Sequence, residues 1–143
     1  MGVAVWVGKR RFEIGSPSLL KSWFSTIVVR LEGDDWGGRY PVIMRELYGG
    51  LLPHAQAESA LKELEGIRRE LAMASPEGVV WDFEDRRAQP PWGGEISAQI
   101  KSLAEYFVTS DGRNLLDVLA MAITEGARRG RDVTIGDPAP RSG

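Results

Sequence analysis

The chain opens in one periodicity and continues in another. Val3, Val5 and Val7 alternate with Ala4 and Trp6, which fits a strand with at least one buried face. Leu19, Leu20, Trp23, Phe24, Ile27, Val28 and Leu31 then recur at three- and four-residue spacing, a wide apolar stripe on a helix packed into a core. A strand with a face to bury and a helix apolar along one stripe satisfy each other only when layered.

The punctuation supports that reading. Ser16-Pro17 is a helix start, an N-cap hydroxyl followed by proline at the first helical position. β-branched Ile27-Val28-Val29 also suits a strand after Ser25, but the unbroken spacing favours helix throughout. Phe12 to Ile14 reads as a second strand. Pro41 opens a short helix that Gly49-Gly50 ends. A long helix is expected from about Pro53 to Ala74, with Gly66 as its weak point unless another element crosses closely there. Val79 to Phe83 reads as a strand, Ser97 to Glu105 as a short helix and Tyr106 to Thr109 as a short strand. Ser110-Asp111-Gly112 caps a last helix over Leu115, Leu116, Val118, Leu119, Ala122 and Ile123, and Arg131 to Ile135 adds an edge strand. This order does not alternate regularly enough for a doubly wound sheet. The expected fold is α+β: a single domain over 1–135, its small, mostly antiparallel sheet packed on one side by about four helices, and a flexible tail over 136–143.

Composition removes several functions. The 143 residues hold no cysteine and one histidine, His54, so a disulfide framework and a Cys/His metal centre are excluded, and His-based acid–base catalysis has a single candidate. A net charge of −2 and a pI of about 5.5 argue against a whole-domain nucleic-acid surface. No apolar run approaches a membrane span, and Met1 to Val7 lacks a basic leader, so a cytoplasmic protein without cofactors is expected. Gly37-Gly38 and Gly93-Gly94 lack the spacing of phosphate loops, and no Gly-x-Ser-x-Gly elbow is present.

Three segments carry the residues of interest. Asp82, Glu84 and Asp85 form the densest acidic cluster, at the exit of the expected strand. Such carboxylates suit Mg²⁺ or an acid/base pair, but a solvated exit paired with Arg86 and Arg87 is the simpler reading. Glu32, Asp34 and Asp35 form a second acidic loop beside Trp36, which is either a binding rim or a solvated turn with the indole folded onto the core. Trp92, in Pro90-Pro91-Trp92-Gly93-Gly94, is either an anchor for a partner or a plug on the core. Arg128, Arg129 and Arg131 suit a helix C-terminus better than nucleic acid.

Six segments in order, Gly15-Ser16-Pro17-Ser18, Trp36-Gly37-Gly38-Arg39-Tyr40-Pro41, Glu46-Leu47-Tyr48, Val80-Trp81-Asp82, Pro90-Pro91-Trp92-Gly93 and Phe107-Val108-Thr109-Ser110-Asp111-Gly112-Arg113, resemble the immunity protein 70 family of bacterial polymorphic toxin systems. The resemblance runs from about Val3 to Ala122. It implies a small cytoplasmic antidote, encoded beside a secreted toxin, that protects the producing cell and its kin without catalysis. Its implied partner is the toxin's C-terminal domain, with no nucleic acid or membrane, and the protein acts as a monomer or homodimer. The acidic loops with Asp34, Asp35, Trp36, Asp82, Glu84 and Asp85, together with Trp92, are the first candidates for toxin contact. A Mg-dependent hydrolase using Asp82, Glu84 and Asp85, or a self-associating structural module, are the alternatives.

Overall fold

A computed structural model describes residues 3–91 and 95–136. Strands β1 (Val3–Val7) and β2 (Arg10–Gly15) lead into helix α1 (Pro17–Thr26); β3 (Leu51–Leu52) and α2 (Ala57–Ala72) follow, then the short α3 (Leu103–Tyr106), α4 (Leu115–Arg129) and β4 (Val133–Gly136). The sheet is antiparallel, in the order β2-β1-β4-β3. Helices and an antiparallel sheet in one layered unit make the α+β class expected from the sequence.

Register explains the valine alternation. Val5 lies opposite Phe12 and Ile135, and Val7 opposite Val133, so these residues share the face turned to the core. Val5 and Val7 are fully buried there. Trp6, Arg11 and Thr134 share the opposite face, where the Trp6 indole donates to the Gly136 carbonyl at 3.1 Å. The β1–β2 hairpin turns through Gly8 at φ +59°, which a two-residue hairpin loop favours at its first position. β4 is not the edge strand expected over Arg131 to Ile135. It lies between β1 and β3, because Leu51-Leu52 supplies a second neighbour, and it includes Gly136, which the sequence reading placed in the tail.

The Ser16 side chain caps α1, accepting from Leu19 N–H at 3.1 Å. The helix continues past Thr26, as the spacing requires, but widens into a π-helical turn over Ile27–Leu31, closed by Glu32 N–H on the Ile27 carbonyl at 3.0 Å. The helix opened by Pro41 is also π-helical, Val42–Leu47, and its first N–H groups are held by the Glu63 carboxylate of α2 at 3.1 and 2.8 Å. The long helix begins later than expected, at Ala57, after a 3₁₀ turn at His54–Gln56. Gly66 of α2 lies against Tyr40: a Cβ there would stand 3.4 Å from the Tyr40 ring, so the close crossing is made by a loop tyrosine and not by another helix. The last helix is capped by Asn114 and not by Ser110-Asp111-Gly112; its side chain accepts from Leu116 N–H at 2.9 Å and donates to the Ala104 carbonyl.

Three further expectations give way. Ser97 to Glu105 holds a helix only from Leu103, and Tyr106 to Thr109 makes a single bridge, Val108 to Asn114, in place of a strand. Val79 to Phe83 is not a strand either. Side chains of α1 take up its backbone groups: Thr26 Oγ1 accepts from Val80 N–H at 3.0 Å, the Ser22 and Thr26 hydroxyls donate to the Val80 carbonyl, and Ser25 Oγ accepts from Phe83 N–H at 2.9 Å. With those groups satisfied, the segment has no need of a strand partner. No helix among the described residues is long and apolar enough to cross a membrane.

Candidate partner-binding face

The two acidic segments meet over the end of α1. The loop after the π-helical turn is organised around Glu32, which is buried. Its carboxylate accepts from three main-chain N–H groups, Gly37 at 3.0 Å, Arg39 at 3.1 Å and Tyr40 at 3.0 Å. One negative charge thereby gathers the donors of a glycine-rich loop that has no sheet or helix to use them. Glu32 is thus an internal anchor. One sequence signal pointed there: it abuts the apolar stripe directly, whereas Asp34 and Asp35 lie beyond Gly33. Both of these are exposed, and Asp34 adopts a left-handed φ of +70°.

Trp36 folds back. Its indole N–H donates to the Met44 carbonyl at 2.6 Å, and its ring packs edge-on against Tyr48 at 4.7 Å and tilted against Phe83 at 4.9 Å. The ring is half-buried and, through Phe83, ties the Glu32 loop to the second acidic segment. That second segment is pinned through Phe83 to α1. Asp82 accepts from Glu84 N–H at 2.9 Å and Asp85 from Arg87 N–H at 3.2 Å, compact turns that hold the carboxylates close together.

The pairing differs from expectation. Lys21 of α1, and not Arg86 or Arg87, bridges Glu84 at 2.5 Å and Asp82 at 3.4 Å, and its ammonium lies 5.5 Å from the Phe83 ring centre. The Glu84 hydrogen bond, aided by the Asp82 charge, raises the Lys21 pKa, so the cation is fixed there. Arg86 instead reaches across to Asp34 at 2.5 Å and ties the two loops together. Asp35 and Asp85 have no ion pair among the described residues. The Asp34–Arg86 pair and the Trp36–Phe83 contact thus bring side by side the two loops that carry Asp34, Asp35, Trp36, Asp82, Glu84 and Asp85, and one lysine offsets only part of their charge. Trp92 lies outside the described residues. Beside the face is a cavity of about 370 Å³, whose lining includes Arg30, Trp81, Arg86 and Tyr106. Among the described residues no group of three or more histidine, aspartate or glutamate side chains is arranged to hold a metal ion.

Tyr40, whose N–H is held by Glu32, ties that loop to α2. The Tyr40 hydroxyl donates to the Glu70 carboxylate, which also accepts from Arg39 at 2.6 Å. Arg39 above all holds the Glu70 carboxyl below its ordinary range. Burial, then the bond to Glu70, pushes Tyr40 up from 10.0 to about 12. The folded state therefore favours the protonated phenol. Its contribution is complete below pH 10.0 and is lost as pH rises through about 12. Melting temperature is expected to fall more steeply across that window in the wild type than in Tyr40→Phe; equal slopes would show that Tyr40 does not titrate with unfolding.

The family model described as Immunity protein 70 matches residues 5–135. No curated protein and no solved structure matches the chain.

Proposed function

Since this chain belongs to the immunity protein 70 family, we propose that it is a cytoplasmic antidote that binds the C-terminal domain of a cognate toxin and blocks its surface without catalysis. The family match over nearly the whole domain carries this reading. The face formed by Asp34, Asp35, Trp36, Asp82, Glu84 and Asp85 supports a place for the contact. Two loops that are pinned before binding lose little conformational freedom on association, and exposed carboxylates around an aromatic edge suit a basic toxin surface. Trp92 joins this proposed face from its sequence position alone. Lys21 pairs with both Asp82 and Glu84 but offsets only one of their two charges, so the face stays acidic.

The direct test co-expresses the chain with the toxin-like C-terminal domain encoded immediately upstream, reading growth rescue and co-purification. Rescue with a stable complex is the expected result; neither, with both proteins folded, would overturn the proposal for that pair. Asp35→Lys with Asp85→Lys reverses the two unpaired charges and is expected to weaken the complex about tenfold to a hundredfold, mostly through slower association at low salt. Unchanged affinity would remove this face from the interface and leave toxin binding itself intact.

A further inference from the structure

The β2 edge has the opposite electrostatic character. Lys9, Arg10 and Arg11 lie on the hairpin and the edge strand, Arg113 on the loop before α4, and Arg128 and Arg129 at the end of α4. The carboxylates among them are Glu13, Asp111 and Glu125. Glu125 is shared by three guanidinium groups: Arg128 at 2.5 Å, Arg10 at 3.5 Å and Arg129 at 3.6 Å. One carboxylate cannot neutralise three cations. Its pKa is lowered by all three, Arg128 foremost. Positive charge is therefore concentrated on one edge of a protein whose net charge is −2.

Shape accompanies the charge. Two shallow grooves flank Arg10: one lies between Arg11, Glu13, Asp111 and Arg113, and the other is floored by Phe12, Ala120 and Met121. Met121 is 42% exposed there, and the Arg10 guanidinium stacks 4.8 Å over the Phe12 ring. We infer that this edge is a second docking surface, for a carboxylate-rich polypeptide segment that crosses β2 with apolar side chains entering the Met121 groove.

A second copy of the chain is disfavoured, since β2 against β2 would bring arginines together. Nucleic acid fits less well: Glu13, Asp111 and Glu125 interrupt the cations, and the exposed thioether offers nothing to a phosphate backbone. An acidic peptide offers carboxylates to the guanidinium groups and methylenes to the groove. This surface does not depend on the acidic loops, and charge reversal at Asp35 and Asp85 would leave it unaffected.

The probe is a short poly-L-glutamate peptide carrying a C-terminal leucine pair, titrated into the whole chain at low and moderate salt, with a DNA duplex of equal charge as comparator. Salt-sensitive peptide binding is expected, reduced at least about tenfold in Arg10→Glu/Arg113→Glu/Arg128→Glu. Lys62→Glu/Arg69→Glu, a double reversal on α2, is expected to retain most of it. No peptide binding by the wild type, an equal loss in the α2 variant, or tighter binding of the duplex would each overturn the inference. Circular dichroism of every variant separates loss of the surface from loss of the fold. If the triple variant does not fold, Met121→Glu, a single change on the groove floor, reads the same surface and is also expected to weaken the peptide.

Discussion

Glu32→Ala is expected to destabilise the protein by on the order of 3 kcal/mol, more than any other surface-loop change considered for this chain. The substitution removes one acceptor group and leaves three main-chain donors behind, those of Gly37, Arg39 and Tyr40. A hydrogen bond to a charged group contributes about 1.5–3 kcal/mol, and a buried donor left without a partner costs about 1–3 kcal/mol. The Arg39 N–H is near solvent and recovers part of its loss through water, which keeps the total well below the sum. Glu32→Gln retains a carbonyl oxygen but points an amide N–H at a donor, so it is expected to fall between wild type and alanine. Urea denaturation gives the energies, and the Trp36 near-ultraviolet signal reports whether the loop still holds the indole against Tyr48 and Phe83. A loss under about 1 kcal/mol would show that the carboxylate is not the organising centre of the loop.

Trp23 gives the second large effect, and two substitutions are needed to read it. The side chain is fully buried and packs edge-on against Phe24 at 5.0 Å. Trp23→Ala is expected to cost about 3–5 kcal/mol, the usual range for removing a buried aromatic ring. Trp23→Phe differs in kind. Among the described residues no acceptor reaches the Trp23 indole N–H, so phenylalanine removes an unpaired polar group together with part of the ring. The lost packing and the relieved desolvation oppose each other, and the net is expected to stay near 1 kcal/mol. If Trp23→Phe proved as damaging as alanine, the N–H would have to be satisfied.

The helices were legible because their causes are local. Ser16 and Pro17 start α1 by chemistry contained in those two residues, and the spacing from Leu19 to Leu31 marks the buried stripe whatever packs on it. Even the π-helical widening at Ile27–Leu31 kept that stripe inward, so the reading survived a change of helix type. Val79 to Phe83 failed for the converse reason. Its β-branched and aromatic residues favour a strand, but Ser22, Ser25 and Thr26, more than fifty positions away, occupy the groups a strand would have paired. Nothing within the segment announces those hydroxyls. The place of β4 was hidden in the same way, since periodicity identifies a strand but not its neighbours.

The candidate face was half legible. Asp34, Asp35, Asp82, Glu84 and Asp85 were identifiable as acids in loops, and the structure links those two loops through Arg86–Asp34 and Trp36–Phe83. Their ion pairing was not foreseeable: Lys21 lies on a helix whose polar face gives no hint of which loop will cover it, and Arg86 passes over its sequence neighbours to reach Asp34. Glu32 shows the limit of composition most plainly. It sits beside Asp34 and Asp35 in sequence, yet of these three acids it alone is buried and holds the loop's main-chain N–H groups.

The strand between β1 and β3 is also the last of the four to leave the ribosome. Until Val133 to Gly136 emerge, β1 has a partner on one side only and Leu51-Leu52 has none in the sheet. The pairing of β1 with β4 spans nearly the whole described chain, so it is a slow, non-local step that follows the local helices. The sheet of a nascent chain therefore stays incomplete until Val133 to Gly136 have been synthesised, however early the helices form.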